Sequence, residues 1–272
     1  MRHLTRIAPP PLDRFVEFLW YWEGDPTGHF KDAIVASAHA GMLINLADDR
    51  LSWYDGAGFA VFHRLRGIGI SGPHSRTFGI DAFHRKMMGV QFRAGGAYPF
   101  FGHAMHEIAD RHIALEDVWG ADAERLHQRL VEAPEPAEKF DILQDALIEK
   151  TRDKLGYDPA ARHALRLFAR APHRMSVATA ARETGLSQKR LIRVFSEQVG
   201  LRPKLYLRVA RFQRALSHIA STFDVDWGDI VEQNGYYDQS HFIRDFGQFS
   251  ALAPSVYLKR RGPYLQHVPL PA

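Results

Sequence analysis

Apolar residues along the first hundred positions come in short bursts separated by turn formers. The bursts are 33–37, 42–46, 52–54, 60–62, 67–70, 78–80 and 88–92, and the breaks read D-D-R, Y-D-G-A-G, S-G-P-H and R-A-G-G. Short apolar runs at regular spacing, each closed by Gly, Asp or Pro, predict the strands of a small sandwich or barrel. Ahead of them, 12–22 (L-D-R-F-V-E-F-L-W-Y-W) follows three prolines. Its first residues have helical spacing and its later composition favours a strand, so a short helical turn leading into a strand is expected. From Tyr98 the period changes. Leu115, Val118, Trp119, Leu126 and Leu130 mark a helical stretch over 115–130. Phe140, Leu143, Leu147 and Ile148 follow at i, i+3, i+7 and i+8 over 140–155, an amphipathic stripe. That stripe suits either the covering of its own barrel or pairing with a second copy.

The second half is helical throughout. Tyr157-Asp158-Pro159 is the expected joint, with Asp158 as cap and Pro159 at the first helical position. This gives an N-terminal domain over 1–157 and a C-terminal domain over 158–272. A first helix is expected at 160–170 and a long one at 203–220, striped by Leu205, Val209, Phe212, Leu216 and Ile219. Between and beyond them lie two related stretches. In 180–195 (A-A-R-E-T-G-L-S-Q-K-R-L-I-R-V-F), small alanines precede Gly185, a helix breaker that tolerates positive φ. Ser187 then suits a helix start, and Leu191, Val194 and Phe195 give one apolar face. Residues 230–246 (I-V-E-Q-N-G-Y-Y-D-Q-S-H-F-I-R-D-F) repeat the arrangement. At one offset of 51, Arg193 matches Arg244, Ile192 matches Ile243, Phe195 matches Phe246, Pro203 matches Pro254 and Tyr206 matches Tyr257. The glycines, Gly185 and Gly235, stand only 50 apart. Helix, glycine turn and second helix, given twice, predict a tandem helix-turn-helix. The tail 262–272, with three prolines, is expected to be irregular.

Ile230, Gly235, Tyr236, Asp238, Gln239, Ser240, Phe242, Arg244 and Phe246, followed by Pro254-Ser255 and Tyr257, resemble the signature of the AraC/XylS family of transcription regulators. That signature runs roughly I-A-x-x-x-G-F-x-D-x-S-x-F-x-R-x-F and then T-P-x-x-Y-R. Val231, Ala251, Ala253 and Leu258 depart from it at packing and capping positions. The resemblance covers about 160–262. It implies a DNA-binding transcription regulator in which each second helix enters a major groove, with the two grooves roughly 34 Å apart. A weaker resemblance touches the N-terminal half: P-L-D-R-F-V-E-F-L-W, G-V-Q-F-R-A-G-G-A and I-A-L-E-D-V-W-G look like an uncharacterised domain found ahead of such modules. Relatives with characterised sensors use a cupin-like barrel that binds a small molecule or dimerises. The fold class expected is therefore α+β: a β-rich, cupin-like N-terminal domain with helices, and an all-α C-terminal domain carrying two helix-turn-helix motifs on one long helix.

Charge sharpens this division. The net +4 of the whole chain hides 19 Lys+Arg against 10 Asp+Glu in residues 151–272, a net of +9, and 16 against 21 before them, a net of −5. A basic part joined to an acidic one fits a nucleic-acid-binding module attached to something else. The apolar stripes then leave defined residues facing out. In the first motif these are Gln188, Lys189, Ile192 and Arg193; in the second, Gln239, Ser240, His241 and Arg244. Lys and Arg suit guanine O6/N7, Gln suits adenine, and Ile192 suits a thymine methyl. Asp238 and Ser240 have helix capping as an alternative role. Arg174, Arg202, Arg208 and Arg211 are expected to meet phosphates or solvent.

Other chemistry is sparsely supported. With no Cys there are no disulfides, thiolate nucleophiles or Cys zinc sites. Fifteen His include His103 and His106 at i, i+3 and the scattered His39, His63, His74 and His84, without the set spacing of a cupin metal motif. G-x-S-x-G, P-loop and G-x-G-x-x-G patterns are missing, so neither an enzyme nor a cofactor is expected. Trp20, Trp22, Trp53, Tyr54 and Phe59 suit a core or a ligand pocket. No apolar run of membrane length and no signal core occur, and the default location is cytoplasmic. Expected partners are double-stranded DNA, a small-molecule effector, RNA polymerase and a second copy of the chain. Two other readings share these features: a small-molecule sensor whose DNA binding is degenerate, and a metal-dependent cupin-type enzyme fused to a DNA module.

Overall fold

The computed structural model describes residues 2–24, 31–48, 50–81, 86–151, 158–170, 175–222, 224–262 and 264–270. Each apolar burst of the first hundred residues becomes a strand. After β1 (Arg2–Arg6), a single turn at Leu12–Arg14 leads into β2 (Val16–Glu23), as the mixed pattern of that stretch predicts. Then follow β3 (Lys31–Ile34), β4 (Gly41–Asn45), β5 (Arg50–Asp55), β6 (Val61–Arg66), β7 (Ile68–Ser71), β8 (Phe78–Asp81) and β9 (Lys86–Phe92). A helical turn, α1 (Tyr98–Phe101), precedes the short β10 (His112–Ala114). The strands form two antiparallel sheets, in the orders β1-β2-β9-β4-β7-β10 and, with a last strand β11 (His267–Pro269), β11-β3-β8-β5-β6.

Helices cover the first sheet. The stretch 115–130 splits at Gly120, whose φ of +58° ends α2 (Glu116–Trp119) and starts α3 (Ala121–Glu132). After the prolines comes α4 (Pro136–Thr151). Leu19, Met42, Ile44, Ile70, Met88 and Val90 of the sheet form one core with Phe100, Trp119, Leu126, Leu130, Phe140, Leu143 and Leu147. Leu143 and Leu147 are fully enclosed by their own domain. The stripe on α4 is therefore a core face and not a surface for a second copy; with both leucines already covered, pairing could add no burial. Lys139, on the same helix, is buried too. Its ammonium donates to the carbonyls of Leu130, Val131 and Ala133 at the end of α3.

The C-terminal domain is helical: α5 (Pro159–Arg170), α6 (Val177–Glu183), α7 (Gln188–Val199), α8 (Pro203–Ser221), α9 (Trp227–Gln233), α10 (Gln239–Ser250) and α11 (Pro254–Arg260). Asp158 caps α5 through Ala160 N at 2.8 Å, as expected. Tyr157, Arg174 and His84, named above, lie outside the described residues. Phe168, Phe195, Phe212, Phe242, Phe246, Phe249 and Tyr257 build this core around α8.

That core also takes in Ala33, Val35, Ala36 and Ala38 of the N-terminal part. Contacts from α7, α8, α10 and the tail hold the halves together, with Gln213 Nε2 donating to Ala36 O. Gly200, after α7, lies so close to Pro73 that a Cβ there would come within 2.5 Å of its Cγ. Phe249 O, on α10, accepts from Ala36 N at 2.8 Å and from Thr77 Oγ1 at 3.3 Å. The tail, expected to be irregular, supplies β11 as an edge strand along β3, with Val268 opposite Ala33 and His267 Nδ1 3.0 Å from Asp32 Oδ2. Local sequence carries no sign of this strand, because its partner is more than 200 positions away.

Candidate nucleic-acid interface

The two motifs agree down to single hydrogen bonds. Each first helix ends on a glycine at φ +69°, Gly185 and Gly235. Gly185 N donates to Arg182 O and Leu186 N to Ala181 O; fifty residues on, Gly235 N donates to Glu232 O and Tyr236 N to Val231 O. This left-handed close is the helix terminator that glycine permits without steric cost. The second helices start on side-chain caps 51 apart. Ser187 Oγ accepts from Arg190 N at 3.3 Å, and Asp238 Oδ1 from His241 N at 2.7 Å. The change from 50 to 51 is one extra residue in the second turn, Tyr237, whose side chain is 91% exposed.

Packing repeats likewise. Phe195 meets Tyr206 edge-on at 5.3 Å between centroids, and Phe246 meets Tyr257 at 5.4 Å. With Leu191, Val194, Phe195, Phe242 and Phe246 turned inward, the opposite faces are fixed. Gln188, Lys189, Arg190 and Arg193 stand exposed on α7, and Gln239, Ser240, Ile243 and Arg244 on α10. Ser240 makes no cap contact; Asp238 fills that role.

Other residues are less free. Ile192 is half-buried and, with Arg193, Ser196, Arg202 and Leu205, lines a 520 Å³ cleft against His106 and Asp110 of the N-terminal domain. His241 is half-buried: its ring packs edge-on to Tyr236 at 5.3 Å, and Nε2 lies 3.6 Å from Asp245 Oδ2. Two arginines expected at phosphates or solvent turn inward. Arg208 pairs with the buried Asp245 at 2.6 Å and Gln248 at 2.6 Å, tying α8 to α10. Arg211 lies over the Tyr236 ring, its Cζ 5.3 Å from the centroid. Three exposed residues, Arg190, Tyr237 and Ile243, were not selected from the sequence. Ile243 was already visible as the repeat partner of Ile192, whereas Tyr237 shows only as a one-residue mismatch between the two offsets.

His103 Nδ1 lies 2.8 Å from Phe101 O, and among the described residues no three His, Asp or Glu side chains converge as ligands. Among the described residues no helix is long and apolar enough to cross a membrane.

Residues 180–260 match the family described as Helix-turn-helix domain, and residues 5–114 match one described as Domain of unknown function (DUF6597). No curated protein matches the chain. Among solved structures, an apo variant of ToxT from Vibrio cholerae strain SCE256 is 14% identical, covering 89% of this chain and 97% of that one, with a TM-score of 0.48. ToxT of the same strain bound to an unsaturated fatty acid is 13% identical over 95% and 97%, with a TM-score of 0.45. The C-terminal domain of AraT, a response regulator from Geobacillus stearothermophilus, is 21% identical over 40% and 92%, with a TM-score of 0.37. With the signature residues at 230–257 folded as a second helix-turn-helix on a shared core, residues 180–260 carry an AraC-type helix-turn-helix domain, and it follows a domain of unknown function over residues 5–114.

Proposed function

We propose that the chain reads two successive major grooves of one DNA site, α7 in one and α10 in the other. The observation that carries this is the repeated cap-and-core geometry, which leaves Gln188, Lys189 and Arg193 on one helix, and Gln239, Ser240 and Arg244 on the other, in solvent. Ile192 and His241 stand at the edges of these faces, Ile192 for a thymine methyl and His241 for a base edge or phosphate. Arg202 and Arg214 are exposed and suit phosphates. The N-terminal domain, residues 1–157, is the controlling part and the DNA module begins at 158. A small-molecule effector, RNA polymerase and a second copy are the further partners of this reading, which is that of a cytoplasmic regulator and not of an enzyme. Selection of binding sites from random duplexes with the full chain, followed by footprinting, tests it. The expected footprint has two protected segments about one helical turn apart. A single segment, or no selected sequence, overturns it.

A further inference from the structure

Between the two sheets, where β5 and β8 face β10, lies a cavity of 360 Å³ that the DNA-reading surface does not use. At ~30 Å³ for each water-sized group, it has room for about a dozen of them. Aromatic faces make much of its wall: the Trp53 ring is 4.9 Å from that of His112, His112 is 4.8 Å from His74, and His74 is 4.3 Å from Phe78. Burial holds both imidazoles in the neutral form. The Nε2 of His112 is closed off from solvent and has no hydrogen-bond partner. Nothing in the packing explains that orphan, since an unpaired buried nitrogen costs stability. The ionised groups of the wall are Asp55, Asp110 and Arg76. Asp110 is held by Ser75 N and Ser75 Oγ, both at 2.7 Å, and Asp55 lies 3.0 Å from His63 Nε2. Arg76 is largely in solvent, with its Nε 3.8 Å from Asp110.

We infer that this cavity binds a small organic ammonium compound with an aromatic or apolar body, and that its occupancy is felt by both reading helices. The inference rests on the effector reading above and gives it a place and a chemistry. Two carboxylates against one outlying guanidinium favour a cation, and aromatic faces add attraction for one. Neutral imidazoles do not repel it, and the unpaired Nε2 of His112 would gain a partner from a ligand that reaches it. Metal ions are disfavoured by the donor geometry, as no three ligands converge among the described residues. The route outward is short. The segment 73–78 supplies His74 and Phe78 to the wall, sets Pro73 against Gly200 at the end of α7, and bonds Phe249 at the end of α10 through Thr77. A ligand that shifts this segment moves both attachments together.

The test uses the full chain with phenethylammonium as probe, and phenethyl alcohol and phenylacetate as its neutral and anionic counterparts. Calorimetric titration should show binding of the cation at least tenfold tighter than either counterpart. Asp55→Asn and Trp53→Phe, each confirmed as folded by thermal unfolding, should weaken it tenfold or more. The probe should also change the affinity for a selected DNA site. No binding of the cation, equal binding of phenylacetate, or full binding by both variants overturns the site. Binding without any change in DNA affinity overturns the coupling. If no DNA site can be selected while the cation binds, the regulator reading fails and the ligand site stands.

Discussion

Ala251 closes α10 in the left-handed region, at φ +57°, where the first motif has Gly200 at φ +92°. A Cβ in that region is strained, so Ala251→Gly should raise stability by about 0.5–1 kcal/mol in denaturant unfolding. The departure from the family signature at 251 is visible in the sequence; its conformational cost is not, because it depends on the helix ending there. The buried histidines are a second case that sequence hides, as fifteen His give no hint of which lie between sheets. Burial lowers His74 from 6.5 to about 3, and lowers His112 in the same direction. In the unfolded chain His74 protonates near 6.5, so between that pH and about 3 the unfolded state binds more protons at this site. The contribution of His74 is complete above pH 6.5 and falls as pH drops through this window, by about 1.4 kcal/mol per unit, with His112 acting in the same direction. His74→Gln should flatten the slope of stability against pH below 6.5; an unchanged slope would show that His74 does not drive it.

At the scale of elements, periodicity carried most of the fold. Seven apolar bursts became β3 to β9, and the offsets of 50 and 51 located both glycine turns and both caps. Weaker signals failed where a long-range contact decides. β10 has only three residues and exists through pairing with β7, while Lys139 sits on a core helix because it terminates another. Lys139→Ala should cost about 1–3 kcal/mol, leaving the end of α3 with unpaired buried carbonyls. The proposed reading faces divide into roles that can be measured separately. Lys189→Ala and Arg244→Ala should each lose about 1–3 kcal/mol at one base pair and relax preference there. Arg214→Ala should weaken binding about equally on all sequences. Arg211, whose guanidinium lies over Tyr236, should instead act through folding. Equal behaviour of Lys189, Arg244 and Arg214 variants across a panel of single-base changes would sink the assignment of faces.

For the whole molecule, a β-rich acidic part and a helical basic part are legible in the reversal of charge, but their union is not. Ala33, Val35, Ala36 and Val268 are buried in the core of the DNA module, and only folding brings them there. A fragment starting at 158 would bare the surface that Ala33, Val35, Ala36 and Ala38 cover, and it would leave β11 with no strand to join. It keeps both motifs, α8 and the excess of positive charge. Its DNA binding should therefore survive with a steep salt dependence, about a thousandfold between 50 and 200 mM salt if it makes about six phosphate contacts. Its thermal midpoint should lie below that of the same module in the full chain. Ending the full chain at residue 262 tests the tail separately. It removes Val268 from the core and the His267–Asp32 contact while leaving every reading residue in place. A lowered midpoint with DNA affinity retained is the expected result, read by differential scanning calorimetry and by titration of a selected duplex. An unchanged midpoint would mean that β11 rests on β3 without holding it.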